Sequence, residues 1–107
     1  MPISKSAFDY YSLPPTLDLG GYDADDTVAI SSVIIGSSNV LFIENQPSGI
    51  TVQLMGDGWP TMLYIINAGA ETITAQSGDG GQTATIASLV VRNFLVITSS
   101  GFLIPVT

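Results

Sequence analysis

The chain has 107 residues with no cysteine and no histidine, and only 10% of its residues are charged, giving a formal net charge of −7. This length predicts a single domain, and the composition excludes a disulfide framework, a thiolate metal site and catalysis by histidine. The only two cations, Lys5 and Arg92, lie far apart in the sequence. They are too few to neutralise phosphates, so we expect no binding to nucleic acid or to an anionic membrane.

The scarcity of charge also bears on the surface. A typical soluble domain has roughly 25% charged residues, so this surface must contain many uncharged and apolar side chains. Exposed apolar patches usually mark interfaces. The composition therefore favours a subunit of a larger assembly, with a monomer that has a Ser/Thr/Gly-rich surface as the alternative.

Residues 1–26 have an irregular sequence in which prolines and aromatic residues are scattered. The Pro14-Pro15 pair is incompatible with a helix interior or a central strand, yet the segment has too many aromatic residues for a disordered tail. We predict an extended N-terminal arm over 1–26 that docks on its own domain or on a neighbouring subunit. The candidate docking residues are Phe8, Tyr10, Tyr11, Pro14, Pro15 and Tyr22. No signal peptide and no membrane span are predicted.

Residues 27–107 consist of short β-prone segments separated by turn sequences. The predicted strands are 27–35, 39–44, 50–55, 61–67, 71–76, 82–87, 89–91, 94–97 and 102–106. Their spacing, without a sustained helical period, predicts an all-β domain: an antiparallel β-sandwich or jelly-roll-like barrel of about eight short strands. We see no clean internal repeat, and we expect Asn67 and Asn93 to cap turns.

Catalytic and metal chemistry find little support in the sequence. A nucleophile would lack an adjacent base, and the carboxylate pairs Asp57–Asp79 and Glu44–Glu71 lie at strand ends, where acids normally face water. The acidic segment from Asp18 to Asp26 lacks the full pattern of a calcium loop. We therefore expect no enzyme activity, no metal and no cofactor, with a solvated turn at 18–26.

Two glycine-rich turns are candidate binding loops. Residues 78–81 lack the lysine and following helix of a phosphate loop, so they predict a hairpin turn. Trp59, between Gly58 and Pro60, is a candidate to stack on a sugar or anchor a partner together with Asp57 and Asp79. The favoured alternative is that Trp59 folds back to close one end of the barrel.

The segment 56–74 contains the motif on which a family resemblance rests. It runs Gly-x-Gly-x-Pro, then a strand that ends in Ile65-Ile66-Asn67-Ala68-Gly69-Ala70, then Glu-Thr-Ile-Thr. With its flanks, from about 49 to 106, it resembles β-sandwich modules of tailed-bacteriophage virion proteins, found in capsid decoration proteins and in tail-fibre or tailspike knobs. The N-terminal arm lies outside this resemblance.

The resemblance implies a homotrimer with a mechanical role. We expect a capsid decoration (cement) protein, made in the host cytoplasm, that trimerises on the capsid surface of the virion. It would bind the major capsid protein and bridge neighbouring subunits, with the arm lying across them so that several weak contacts add up. The alternative is a tail-fibre or adhesin module that binds a host surface glycan through the loops around Trp59.

Overall fold

The computed structural model describes residues 15–97 and 102–106, which form strands and one short 3₁₀ helix, Ser32–Ile35. The all-β prediction is confirmed for these residues. The strands are β1 (Thr16–Asp18), β2 (Thr27–Ser31), β3 (Val40–Glu44), β4 (Thr51–Met55), β5 (Met62–Asn67), β6 (Ile73–Gln76), β7 (Thr83–Ile86), β8 (Val91–Ile97) and β9 (Phe102–Pro105). None of the described helical segments is long and apolar enough to cross a membrane.

The strands form two sheets around a shared core. The first, sheet A, has the order β1-β3-β5-β8-β9, and the second, sheet B, has the order β2-β4-β6-β7. Alternate residues of β1 to β8 point inward, and those of both sheets join one cluster of buried side chains. Leu54, Ile65 and Phe94 in this cluster are fully buried, and burial of each such side chain contributes about 1.5–3 kcal/mol.

Strand pairing departs from the antiparallel prediction. The first six strands enter the two sheets alternately, so each sheet receives every second strand in the same direction, and β1-β3-β5 and β2-β4-β6 pair in parallel. The turns at Gly36 and at 56–58 pass from one sheet to the other instead of forming hairpins. This stacking of successive coils around a common core is the arrangement of a β-solenoid.

The coils contain a structural repeat that the sequence does not display. Thr27, Thr51 and Thr74 are aligned across β2, β4 and β6, at intervals of 24 and 23 residues. Antiparallel pairing begins only at β7, which pairs with β6, and continues with β8 and β9. The hairpin predicted at 78–81 is confirmed, because it connects β6 to β7.

The domain boundary predicted at residue 26 needs correction. Strand β1 pairs with β3, the Phe42 N–H donates to the Pro15 carbonyl oxygen (3.0 Å), and Leu19 is fully buried in the core. Proline lacks an N–H but keeps an acceptor, so Pro15 can precede an edge strand. Residues 15–26 thus belong to the folded domain, while Phe8, Tyr10, Tyr11 and Pro14 lie outside the described residues.

Candidate functional site

The two sheets present outer faces of different chemistry. On sheet B, Thr27, Thr51, Thr74 and Thr85 are in register across all four strands. The neighbouring row on the same face of sheet B contains Gln53, Gln76 and Thr83. Cross-strand threonine pairs stabilise a sheet and leave a polar surface, so this face suits contact with water.

The outer face of sheet A is apolar. The outward residues of its three central strands include Val40, Phe42, Met62, Tyr64, Ile66, Val91 and Leu95, with Glu44 and Asn93 as the polar exceptions. They lie side by side, because Phe42 pairs with Ile66 and Ile66 with Val91. The same strands bury Leu41, Ile43, Leu63 and Ile65 on the inner face. A sheet that is apolar on both faces is normally covered on both, so this outer face is a candidate interaction surface.

Charged groups are confined to one end of this face. Asp18 and Glu44, which are neighbours in the register of β1 and β3, lie at the last residue of each strand. Asn93 and Thr16 are the other polar residues among the outward positions. Tyr64 pairs with Val40 and Asn93 and has no charged partner in the register, whereas Glu44 lies two residues beyond Phe42, the partner of Ile66.

An exposed apolar segment continues the outer face of sheet A. Leu89, Val90 and Val91 are 81%, 43% and 50% exposed. Leu89 has a φ of +62°, a conformation that is uncommon for bulky residues. The Leu89 N–H donates to the Asn67 carbonyl oxygen (2.8 Å), and the Asn67 N–H donates to the Val90 carbonyl oxygen (3.0 Å). The end of β5 thus fixes the turn that presents these side chains.

The buried side chain of Asn67 connects several loops at this end of the molecule through hydrogen bonds. Its side chain is fully buried, and Oδ1 accepts from Gln46 Nε2 (2.8 Å) and from the Gly69 N–H (3.0 Å). Its Nδ2 donates to the carbonyl oxygens of Glu71 (2.8 Å) and Ile86 (2.9 Å). The prediction that Asn67 caps a turn is confirmed. Asn93 instead lies within β8, so the same prediction is wrong for it.

The loop residues singled out in the sequence lie at one end of sheet B. Because β4 and β6 are parallel neighbours, the turns that follow them, with Asp57 and Asp79, lie at the same end. Trp59 is partly buried against the core, and its Nε1 donates to the Met55 carbonyl oxygen (3.1 Å). The indole N–H is therefore engaged within its own loop. Tyr22 is 46% exposed, and Pro15 is partly buried.

Asp79 acts as a local clasp for its hairpin. Its Oδ1 accepts from Ser77 Oγ (2.7 Å) and from the Gly81 N–H (2.9 Å). The Ser77 hydroxyl, and next the Gly81 N–H, hold the pKa of Asp79 below its ordinary value of 3.8. These hydrogen bonds favour the charged carboxylate. Both donors belong to the same hairpin turn as Asp79.

We expect this clasp to give the hairpin an acid-dependent stability. A pKa lowered by folding adds stability that is complete above the unfolded value of 3.8, and that is lost as pH falls through the folded value. The melting temperatures of wild type and Asp79→Asn should therefore differ at neutral pH. They should converge at pH values below the pKa of Asp79 in the folded protein. A constant difference down to the most acidic pH would contradict the proposed role of the carboxylate.

The acidic residues between β1 and β2 serve their own turn. Asp18 Oδ1 accepts from the Gly20 N–H (2.9 Å), and Asp26 Oδ2 accepts from the Asp23 N–H (3.0 Å). Over residues 15–97 and 102–106, no three acidic, histidine or cysteine side chains come together in a way that fits a metal ion.

Comparisons with known proteins give little. No protein-family model and no curated protein matches the chain. Among solved structures, a chain from the "Structure of a chaperone-substrate complex" is similar over 73% of this chain, with 16% identity and a TM-score of 0.32. The match spans 17% of that chain's length, and a likeness of this degree supports no assignment of fold or function.

Sequence reasoning missed the outer face of sheet A, although the signal was present. Residues 40–43 and 62–66 are uninterrupted apolar runs, whereas β4 and β7 alternate between apolar and polar residues. A continuous run indicates a strand covered on both faces. The two patterns together distinguish the sheet with an apolar outer face from the sheet with a polar one.

Proposed function

We propose that the protein is a structural virion protein that assembles with copies of itself through the outer face of sheet A. The observation that carries this proposal is the contrast between the two outer faces. Sheet B presents threonine and glutamine, while sheet A presents Phe42, Tyr64 and Leu95 with no charge among them. Covering this apolar face removes it from water, which is the main driving force of association.

Net charge restricts how copies of the chain can associate. Copies with a charge of −7 each repel one another, and the acids of the described loops would oppose most other orientations. Contact through Phe42, Tyr64 and Leu95 would join copies at apolar residues of the outer face of sheet A, with Asp18 and Glu44 at one end of that face. The resemblance of 49–106 to phage virion modules supports three copies in the assembly.

The finer proposal is a capsid decoration protein that trimerises on the outer shell and bridges neighbouring major capsid subunits. The few charges and the two-sheet fold around a shared core suit a protein whose role is mechanical. The alternative, a glycan-binding adhesin module, receives less support, because Trp59 packs against the core and its indole N–H is already bonded to Met55. A sugar-stacking residue needs an accessible ring face.

The test is the molar mass in solution by light scattering, for wild type and for the double variant Tyr64→Thr/Leu95→Thr. Threonine keeps strand propensity but makes the outer face of sheet A polar, so we expect a trimeric wild type and a monomeric variant with the same β-type circular dichroism. The matched control is Thr51→Ser/Thr74→Ser on sheet B, which should remain trimeric. A monomeric wild type at all concentrations would overturn the proposal of self-assembly.

The capsid proposal has a separate test. Purified protein is mixed with undecorated shells of the phage that encodes it, and co-sedimentation is measured. Wild type should pellet with the shells and raise their melting temperature, while the monomeric variant should bind weakly because it loses multivalency. An assembled wild type that stays in the supernatant would contradict the decoration role and leave self-assembly intact.

A further inference from the structure

We propose that Asp57 is a self-modification site, at which the chain converts spontaneously to isoaspartate, and that the Ser32 hydroxyl assists this conversion. The reaction is an internal attack of the Gly58 backbone nitrogen on Asp57 Cγ. It involves only atoms of one chain and water, so it does not depend on the proposed function.

The conversion proceeds through a cyclic imide and needs no reagent other than water. In the first step the Gly58 nitrogen loses its proton and bonds to Asp57 Cγ, and one carboxyl oxygen leaves as water. In the second step water adds to the main-chain carbonyl carbon of Asp57, and the bond from that carbon to the Gly58 nitrogen breaks. The main chain then continues through Cγ. The former main-chain carbonyl becomes the carboxylate, so the net charge is unchanged.

The sequence offers two sites for this chemistry, because aspartate is followed by glycine at 57–58 and at 79–80. Glycine leaves its backbone nitrogen open to approach, since it has no β-carbon, and its backbone rotates more freely than that of other residues. Asp57 and Asp79 are both exposed and both lie in turns between strands. Sequence and exposure therefore do not distinguish the two sites, but their hydrogen bonds do.

The reacting groups at 79–80 are held by hydrogen bonds. Asp79 Oδ1 accepts from Ser77 Oγ (2.7 Å) and from the Gly81 N–H (2.9 Å). The nucleophile, the Gly80 N–H, donates to the Ser77 carbonyl oxygen (3.0 Å). The lowered pKa of Asp79 also keeps its carboxyl group charged, and a carboxylate loses an oxygen less readily than the neutral acid. Attack at this site requires that the hairpin first open locally.

The reacting groups at 57–58 are available. Within residues 15–97 and 102–106, neither the Asp57 carboxyl group nor the Gly58 N–H has a hydrogen-bond partner. Both residues are exposed in the turn between β4 and β5. No hydrogen bond among the described residues has to break before the nitrogen approaches Cγ, so conversion should be faster here than at 79–80.

The Ser32 hydroxyl contacts the peptide group that reacts. Its Oγ donates to the Asp57 carbonyl oxygen (2.7 Å), which belongs to the same amide as the Gly58 nitrogen. When this nitrogen gives up its proton, negative charge spreads through the amide to the carbonyl oxygen, where a donor already in place stabilises it. Ser32 begins the 3₁₀ helix of the preceding coil, so this donor is supplied by the fold and not by the local sequence.

The first test is ageing of the purified wild-type protein at neutral pH, followed by peptide mapping that distinguishes isoaspartate from aspartate. We expect isoaspartate to accumulate at residue 57 at least about tenfold faster than at residue 79. In guanidinium chloride, which removes the hydrogen bonds of both turns, the two rates should become similar. Equal rates in the folded protein, faster conversion at residue 79, or no conversion at either site would overturn the proposal.

The second test is Ser32→Ala, which separates assistance by the hydroxyl from simple loosening of the turn. Loosening alone would speed conversion at Asp57, whereas loss of the donor should slow it by about threefold, since water replaces part of its effect at an exposed turn. The matched control is Ser38→Ala, because the Ser38 hydroxyl bonds only to Val40, and it should leave the rate unchanged.

A further variant, Ser32→Thr, keeps the hydroxyl and should retain the wild-type rate. Circular dichroism of each variant verifies that the rates refer to folded protein. An unchanged or raised rate at Asp57 in Ser32→Ala would contradict the role of Ser32.

Discussion

Replacing Asn67 with alanine is expected to lower the free energy of unfolding by about 3–4 kcal/mol. The side chain is fully buried, and its four hydrogen bonds connect Gln46, Gly69, Glu71 and Ile86. Alanine supplies none of them, so the part-buried Gly69 N–H and the buried Ile86 carbonyl oxygen would lose these bonds. A buried group left without a partner costs about 1–3 kcal/mol, which is a large part of the stability of a small domain.

Urea unfolding monitored by circular dichroism measures this loss. The matched control is Asn93→Ala, because Asn93 lies on the outer face of sheet A and is only partly buried. Its free energy of unfolding should change by less than about 0.5 kcal/mol. Comparable losses in the two variants, or a loss of less than about 1 kcal/mol for Asn67→Ala, would show that the buried hydrogen bonds contribute little net stability.

The positions of the strands were accessible from sequence because they depend on local chemistry. Residues 50–55 alternate between apolar and polar side chains, and β4 occupies Thr51–Met55 with that alternation of burial. The glycine-rich turn at 78–81 forms the predicted hairpin, because Asp79 and the glycines satisfy the backbone groups of a tight turn. Each of these features needs only a few neighbouring residues.

The pairing of the strands could not be predicted from the local sequence. Gly56, with a φ of +76°, and Gly58, with a φ of +91°, mark a turn, but a turn can return to the same sheet or cross to the other. Here Ser32 Oγ donates to the Asp57 carbonyl oxygen (2.7 Å), so the turn packs on the coil before it. This contact spans 25 residues, and no local pattern encodes it.

The sequence predicts that the fold has an apolar interaction surface, but it does not show which sheet forms that surface. The low share of charge indicated a covered apolar surface, and the structure offers the outer face of sheet A as the candidate. The sequence does not single out Phe42 and Tyr64 as surface residues, because the outward side of a strand cannot be assigned until its register is known. Only the alignment of Phe42 with Ile66 and of Tyr64 with Asn93 shows that they share one outer face.

The second large effect is expected at Gly69, whose replacement with alanine should cost about 2–3 kcal/mol. A β-carbon there would lie 2.6 Å from both Gln46 Cδ and Gln46 Nε2 and still closer to Oε1. Gln46 cannot move away freely, because its amide is buried and Nε2 donates to Asn67 and to the Glu71 carbonyl oxygen (2.7 Å). The Oε1 atom has no hydrogen-bond partner among the described residues, so it fits the space only because residue 69 lacks a side chain.

A double-mutant cycle with Gln46→Ala isolates this contact. Removing the Gln46 amide removes both the clash and the unsatisfied Oε1, so the double variant Gln46→Ala/Gly69→Ala should be about 1–2 kcal/mol more stable than the sum of the single effects predicts. The control pair is Gly21→Ala with Gln46→Ala, since a β-carbon at Gly21 meets nothing within 4 Å and the two effects should add. Simple additivity in the Gly69 cycle would mean that its cost comes from the backbone and not from the packing against Gln46.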